Sequence, residues 1–198
     1  MKIQTLVLGD YQVNCYLVSD DEGNAVIIDP GYEPDRILLR IRDLNLKVQA
    51  IFLTHGHFDH IGAVKPLYEA LHCPIYLNPK DVTLPPYLTQ GLLHYTDEYE
   101  EGDRISIGKL SFTVLETPGH TRGSVCLLCE DAIFTGDTLF AGSCGRTDLG
   151  GSWFDMVHSL NRVVALKEDL RVFPGHGPAS SLAIERRENP YVTQRSLT

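Results

Sequence analysis

The clearest chemical signal in the 198-residue sequence is a group of metal-ligand side chains between positions 55 and 60. The segment reads His55-x-His57-x-Asp59-His60 and follows the apolar run 48–53, which predicts a strand. Alternate side chains of extended backbone share a face, so His55 and His57 can bind one divalent ion. Asp59 and His60 fall where the chain turns towards the next helix and can face a second ion. Imidazole and carboxylate groups are ligands of zinc, iron and manganese.

Three single residues further along the chain share one local setting, in which a strand ends and a glycine precedes a polar side chain. They are His120, Asp137 and His176. Glycine allows the backbone to turn sharply and to bring a short side chain to a common point. Together with the first segment, these residues make a set of five histidines and two aspartates, which predicts a metal site.

The elements that must position these residues are short apolar runs separated by turn signals. They occur in two runs of strands, each followed or interrupted by helices, which favours a layered α/β sandwich over a regular βαβ repeat. The predicted strands are 3–8, 13–18, 25–28, 48–53, 74–77, 105–107, 110–115, 124–129, 132–135 and 170–173. The predicted helices begin near positions 34, 64, 152 and 181.

Two segments carry more specific expectations. A capping box opening at Ser152 predicts a helix whose apolar face is Val157, Leu160 and Val164. Residues 80–103 contain a dense acidic patch and are predicted to form a long loop or lid with one helical turn. The patch lies apart in sequence from the predicted metal ligands.

Composition limits the classes of partner. The sequence has 17 basic and 26 acidic residues, a formal net charge of −9, so we expect no nucleic-acid partner. No apolar run approaches the roughly 20 residues that span a bilayer, so we expect no membrane partner. The length predicts a single domain over 1–198. Five scattered cysteines favour reduced thiols and a cytoplasmic location. Cys126 and Cys129 are expected on opposite faces of one strand.

The ordered set of histidines and aspartates resembles that of the metallo-β-lactamase superfamily. The resemblance extends from the segment 14–17 and the turn 28–31 to the segment 174–177. Within the superfamily, the segments 136–140 and 145–146 resemble the glyoxalase II (hydroxyacylglutathione hydrolase) branch, and the segment 143–148 resembles its short bacterial members. The resemblance implies a four-layer αββα sandwich with the site at the strand ends.

The resemblance also implies a ligand set for two divalent metal ions, with zinc expected and iron or manganese as alternatives. The residues implied for the first ion are His55, His57 and His120, and Asp137 would bridge both ions. The residues implied for the second ion are Asp59, His60 and His176. Asp59 is also expected to orient or deprotonate the bridging water.

The activity implied is hydrolysis of a thioester, such as a hydroxyacyl-glutathione or a similar anionic acyl thiol, by a metal-bridging hydroxide. One alternative is a persulfide dioxygenase, a family that binds a single iron on two histidines and an aspartate. Another is a different metallo-hydrolase of the superfamily, such as a lactonase. A monomer and a homodimer are both compatible with the sequence.

Five further residues have expected roles beside the ligands. Arg146 is the candidate contact for an anionic substrate, and Asp29 is expected to orient the metal-binding loop. Arg186 and Arg187, which follow His176 with Arg195, are either substrate contacts or part of a solvated helix face.

Overall fold

The computed structural model describes residues 1–193, which form two six-stranded mixed β-sheets packed face to face with helices outside them. The strands in chain order are β1 (Lys2–Leu8), β2 (Val13–Ser19), β3 (Asn24–Ile28), β4 (Lys47–Phe52), β5 (Ile75–Leu77), β6 (Asp97–Glu98), β7 (Arg104–Ile107), β8 (Leu110–Glu116), β9 (Val125–Cys129), β10 (Ala132–Gly136), β11 (Leu139–Phe140), β12 (Ser143–Cys144), β13 (Arg171–Pro174) and β14 (Ser180–Ser181). The first sheet has the order β1-β2-β3-β4-β5-β6 and the second β14-β13-β10-β9-β8-β7, while β11 and β12 form a separate hairpin.

Five of the helices lie between strands in sequence and two follow the last strand, and α1, α3, α5 and α6 cover the outer faces of the sheets. They are α1 (Pro34–Asp43), α2 (Phe58–Ile61), α3 (Val64–Leu71), α4 (Pro86–Thr89), α5 (Trp153–Val164), α6 (Leu182–Glu188) and α7 (Pro190–Thr193). A 3₁₀ turn covers Pro79–Asp81. Within residues 1–193, no helix combines the length and the apolar character that crossing a membrane requires.

Three apolar clusters fill the three interfaces between four layers. One joins α1 and α3 to the outer face of the first sheet and includes Ile37 and Leu67. A second lies between the sheets and includes Phe52 and Phe112, whose ring centroids are 5.1 Å apart. The third joins α5 and α6 to the second sheet. The predicted αββα sandwich is therefore confirmed, and burial of these faces is its main source of stability.

The two cysteines of β9 show the same layering. Cys129 belongs to the cluster between the sheets, whereas Cys126 faces the cluster under α5. Both are buried free thiols, and burial raises the pKa of the Cys126 thiol to about 12 and that of Cys129 to about 11. The expectation that they face opposite sides is confirmed, and neither is suited to thiolate chemistry.

Helix α5 begins as predicted but turns a different face to the core. The Ser152 hydroxyl accepts a hydrogen bond from the amide of Asp155 at 3.2 Å. The predicted face of Val157, Leu160 and Val164 is wrong at two positions, because Val157 and Val164 are only half-buried. The buried residues are Met156, Ser159, Leu160 and Val163.

The reason for this rotation is tertiary. Both apolar sets have helical spacing, so periodicity does not distinguish them. The Ser159 hydroxyl donates to the Pro118 carbonyl at 2.6 Å, and the Ser152 amide donates to the Gly119 carbonyl at 2.8 Å. These bonds fix the helix against the loop that carries His120.

The segment 80–103 is more ordered than a simple loop. It contains the end of the 3₁₀ turn, α4 and the short strand β6, which pairs in parallel with β5. Tyr99 is buried between the sheets, and its hydroxyl donates to the Leu53 carbonyl. The acidic residues of the patch are exposed, and they are Asp97, Glu98, Glu100, Glu101 and Asp103.

Candidate metal centre

Each predicted ligand lies just beyond the carboxyl end of a strand. The His55–His60 segment follows β4 and enters α2, and His120 follows β8. Asp137 and His176 follow β10 and β13, which are parallel neighbours in the second sheet. Parallel strands place their carboxyl ends at one edge, so these loops meet above the junction of the two sheets. All seven predicted ligands are brought together there.

The first group consists of the three histidines His55, His57 and His120, all buried. In each ring, one nitrogen contacts a carbonyl or hydroxyl oxygen of a residue outside the group. His120 Nδ1 lies 2.7 Å from the Arg146 carbonyl, and His57 Nε2 lies 3.3 Å from the Leu149 carbonyl. His55 Nδ1 lies 3.1 Å from the Thr54 hydroxyl. The remaining nitrogens, His57 Nδ1, His120 Nε2 and His55 Nε2, face one another.

The second group consists of Asp59, His60 and His176. His60 Nδ1 is 2.9 Å from Asp29 Oδ2, and His176 Nδ1 is 3.0 Å from the Tyr11 carbonyl. Their Nε2 atoms lie 3.3 Å apart and face inwards. The carboxylate of Asp59 lies 3.3 Å from His176 Nε2.

Asp137 lies between the two groups. Its Oδ2 is 3.4 Å from His120 Nε2 of the first group, and its Oδ1 is 3.4 Å from His60 Nε2 of the second. This position fits the bridging role that the resemblance implies. The close approach also explains the glycine before His176, because a Cβ at position 175 would collide with Asp137 Oδ1 and lie 2.7 Å from His60 Cε1.

The donor set fits divalent cations on two observations. With their outer nitrogens donating to carbonyl oxygens, His57 Nδ1 and His120 Nε2 present lone pairs to each other across 2.8 Å, a repulsion that a shared cation removes. In addition, His55 Nε2 and Asp137 Oδ1 are buried and make no hydrogen bond within residues 1–193. A buried polar atom without a partner is costly, and a metal ion would satisfy both atoms.

His55 and His57 of the first group and His60 of the second have opposite protonation preferences. Burial, followed by the neighbouring His120, lowers the pKa of His57 to about 4, and burial likewise lowers the pKa of His55. Burial also acts to lower the pKa of His60, but the carboxylates of Asp137, Asp29 and Asp59 together outweigh it and raise the pKa to about 9. His60 therefore sits where positive charge is most strongly favoured.

Asp29 connects the second group to the strand that carries the first. Its Oδ1 accepts a hydrogen bond from the Thr54 amide at 2.7 Å, and its Oδ2 accepts from the Thr54 hydroxyl at 2.6 Å and from His60 Nδ1. The contacts match the orienting role expected from the sequence. Through them, Asp29 fixes which nitrogen of His60 faces inwards.

Asp81 is a residue of the site that the sequence reasoning missed. It is fully buried, and its carboxylate accepts hydrogen bonds from the Gly56 amide at 2.9 Å, the Thr121 hydroxyl at 2.8 Å and the Gly123 amide at 2.7 Å. Gly56 lies between His55 and His57, so Asp81 ties the first ligand loop to the His120 loop. Its place in a polar, Pro-rich segment gave no signal of burial.

The loop that carries His176 is held from β2, a second link not anticipated. Asn14 donates through its side-chain amide to the Pro174 carbonyl at 2.9 Å and to the Gly177 carbonyl at 2.8 Å. The Tyr16 hydroxyl also donates to the Pro174 carbonyl, at 2.6 Å. The Asn14–Tyr16 segment belonged to the resemblance, and these bonds give its physical role.

The ligands lie at the base of a cleft of about 290 Å³. Its apolar side includes Tyr11, Phe58, Leu88 and Leu149, and the Tyr11 and Phe58 rings meet edge to face at 5.2 Å. Arg146 lies on the same cleft, where its guanidinium group pairs with both carboxylate oxygens of Asp148 at 2.6 Å.

Arg186 and Arg187 do not line this cleft. Arg186 donates to the carbonyls of Val164 and Leu166 at the end of α5, and Arg187 pairs with Glu188. Arg195 lies outside the described residues. Arg186 and Arg187 therefore have structural and surface contacts in place of substrate contacts.

Comparison with known proteins agrees with this site. Residues 8–176 match the family model of the metallo-beta-lactamase superfamily. Hydroxyacylglutathione hydrolase GloC of Haemophilus influenzae is 34% identical, over 99% of this chain and 100% of that protein.

Two solved structures are also similar. TTHA1623, solved in a di-iron-bound form, is 42% identical over 95% of this chain and 99% of that one, with a TM-score of 0.85. ETHE1 from Myxococcus xanthus is 34% identical over 98% of this chain and 85% of that one, with a TM-score of 0.86. The superfamily binds divalent metals, and the cluster described above fits a binuclear site. The chain belongs to the metallo-beta-lactamase superfamily.

Proposed function

We propose that this metallo-hydrolase cleaves the thioester of a hydroxyacyl-glutathione or a similar acyl thiol. The observation that carries the proposal is the convergence of five imidazole nitrogens and two carboxylates at the base of a cleft with an apolar side and Arg146 beside it. The name of the GloC relative supports the reaction class.

The ligands proposed for the two ions are the two groups described above, with Asp137 between them. Two bound divalent ions supply a hydroxide nucleophile at neutral pH and a Lewis acid for the carbonyl oxygen. Zinc is the proposed metal, and the di-iron form of TTHA1623 makes iron the main alternative, with manganese also possible for this ligand set. Occupancy of both groups is part of the proposal.

The chain's own residues position the reactants. In the metal-free protein, burial acts to raise the pKa of Asp59, but the hydrogen bond with His176 and the positive charge of His60 outweigh burial and lower it, so the carboxylate is ionised. It is placed to orient the attacking water and to accept its proton. A thiolate is a good leaving group, since a free thiol has a pKa near 8.5, so no dedicated acid is required.

The cleft supports a small acyl thiol as substrate. The apolar side formed by Phe58, Leu88 and Leu149 suits the acyl chain and the carbon chain of the thiol. Arg146 is proposed to contact an anionic group of the substrate, in exchange for part of its contact with Asp148.

The test is metal content per chain measured together with hydrolysis of S-lactoylglutathione. About two divalent ions per chain, with hydrolysis that stops on chelation and returns on metal addition, is the expected result. Full hydrolysis by chelated, metal-free protein contradicts the proposal. A lactone tested in parallel distinguishes a thioesterase from a lactonase.

A second candidate is an iron-dependent persulfide dioxygenase, favoured by the likeness to ETHE1. Persulfide oxidation requires a redox-active iron and consumes molecular oxygen, whereas thioester hydrolysis consumes no oxygen. An oxygen electrode with glutathione persulfide separates the two. One iron per chain with oxygen uptake on persulfide, and no thioester hydrolysis, would replace the hydrolase proposal with this one.

A further inference from the structure

We propose that a second cavity, between Lys80 and Arg122, binds an anionic group at the far end of the thiol part of the substrate. The inference rests on the proposed thioester hydrolysis and adds the charge class of the thiol. The cavity has a volume of about 220 Å³ and is lined by Lys80, Thr83, Leu84, Pro85, Arg122 and Gly150. It is separate from the cleft over the metal ligands.

This cavity and the cleft are lined by consecutive residues of one loop. Leu149 lines the cleft, and its carbonyl contacts His57 Nε2, whereas the next residue, Gly150, lines the cavity. Gly150 has a φ of +87°, and a Cβ there would lie 3.4 Å from Leu88 Cδ1. Because residue 150 is a glycine, no side chain at this position stands between the cleft and the cavity.

The backbone at Lys80 and at Arg122 is held in place by the buried carboxylate of Asp81. Asp81 accepts hydrogen bonds from Thr121 and Gly123, the residues on either side of Arg122. Lys80 immediately precedes Asp81 in the chain. The backbone positions of both cations are therefore fixed by the same contacts that fix the His120 loop.

Lys80 and Arg122 differ in their partners. Lys80 is paired with Glu116 at 2.5 Å. The side chain of Arg122 is exposed and, within residues 1–193, forms no ion pair and no hydrogen bond. Two further carboxyls lie near these residues. That of Asp81 is buried, with its acceptors used by three donors, and that of Asp155 lines a neighbouring cavity with Arg122 and Gly150 but forms no ion pair with Arg122. An unpaired arginine beside a lysine, in a protein of net charge −9, is suited to an anion.

The separation of His120 and Arg122 along the chain suits one molecule bound across the cleft and the second cavity. Arg122 follows His120 by two residues, so their Cα atoms are at most about 7 Å apart. The tail of glutathione ends in a carboxylate and that of phosphopantetheine in a phosphate, and both are longer than this separation. A substrate whose thioester carbonyl lies at the metal ligands is therefore long enough for its terminal anion to extend as far as residue 122.

The test compares Arg122→Ala with wild-type holoenzyme on three thioesters of lactate. They are the glutathione thioester, the coenzyme A thioester and the neutral N-acetylcysteamine thioester. We expect kcat/KM of Arg122→Ala to fall about fivefold to tenfold, through KM, on at least one anionic substrate and to stay within about twofold on the neutral one. A loss on the glutathione thioester assigns a carboxylate to the site, and a loss on the coenzyme A thioester assigns a phosphate.

Arg104→Ala is the matched control, since Arg104 is an exposed arginine on β7 that does not line this cavity. A binding measurement with S-methylglutathione, which cannot be hydrolysed, gives a readout independent of turnover. Equal losses on all three substrates, or no loss on any, overturn the inference. Wild-type hydrolysis of the neutral thioester tests the proposed function separately, because that substrate does not use the cavity.

Discussion

Nδ1 of His57 lies 2.8 Å from Nε2 of His120, although 63 residues separate them in the chain. Each ring uses its other nitrogen on a backbone carbonyl, of Leu149 and of Arg146. Both carbonyls belong to the loop between β12 and α5, so that loop fixes the orientation of two histidines at once. The arrangement leaves a lone pair on each ring directed at the same point, which is what a metal ion requires.

Replacement of His57 by alanine is expected to remove bound metal and hydrolysis together. The variant loses one of the three ligands of the first group. Removal of a residue that only hydrogen-bonds to a metal ligand typically costs about 10–100-fold in metal affinity or activity, so we expect the loss of a ligand itself to cost at least about 100-fold. Elemental analysis and S-lactoylglutathione hydrolysis provide the measurement. His158→Ala, at an exposed position on α5, serves as the control and should retain both. Retention of metal and activity by His57→Ala would refute the ligand assignment.

Replacement of Asp81 by alanine is expected to lower the free energy of unfolding by about 2–4 kcal/mol. Three donors, from Gly56, Thr121 and Gly123, would lose a buried acceptor. Asp81→Asn should fall between alanine and wild type, because an amide oxygen still accepts hydrogen bonds. Urea denaturation of the metal-free protein measures the change. Asp43→Ala, at an exposed position at the end of α1, should change it by less than about 0.5 kcal/mol.

Metal binding to metal-free protein is expected to release at least about one proton at pH 7. The pKa of His60 is raised to about 9, so the ring is protonated at pH 7 and must lose a proton to bind metal. Apparent metal affinity should therefore rise with pH and level off above about pH 9. Calorimetric titration in buffers of different ionisation enthalpy counts the protons.

The carboxylate of Asp29 provides the control for this pH dependence. It is one of the groups that raise the pKa of His60, so Asp29→Asn should lower that pKa and move the plateau in affinity to lower pH. A proton count that does not change between pH 6.5 and pH 10 in the wild-type protein would contradict the role given to His60.

Arg146 and Asp148 are expected to affect substrate binding in opposite directions. Arg146→Ala should lower kcat/KM for an anionic thioester about tenfold if the guanidinium group contacts the substrate. Asp148→Asn should lower KM instead, since it removes the carboxylate that now holds both guanidinium nitrogens at 2.6 Å. Steady-state kinetics at two salt concentrations measures both. The same change in the same direction for both variants would assign the pair a structural role.

The candidate metal ligands could be predicted from the sequence because their signals are local. The His55–His60 segment combines four ligand-type side chains after an apolar strand, and the glycines before His120, Asp137 and His176 mark sharp turns at strand ends. The strands and the layered architecture followed from apolar runs and turn residues, since burial of one face imposes its period on the sequence.

Apart from Asp29, the residues that hold these ligands in place were decided by the tertiary structure alone. Asp81 and Asn14 act on loops 25 or more residues distant in the chain, and no local pattern distinguishes them from surface polar residues. The tertiary structure also decided which face of α5 is buried. A face that includes Met156 and a face that includes Val157 both have helical spacing, and the hydrogen bond from Ser159 to the Pro118 carbonyl fixes the first one against the protein. Periodicity reports that a face is buried, whereas contacts between distant segments determine which face it is.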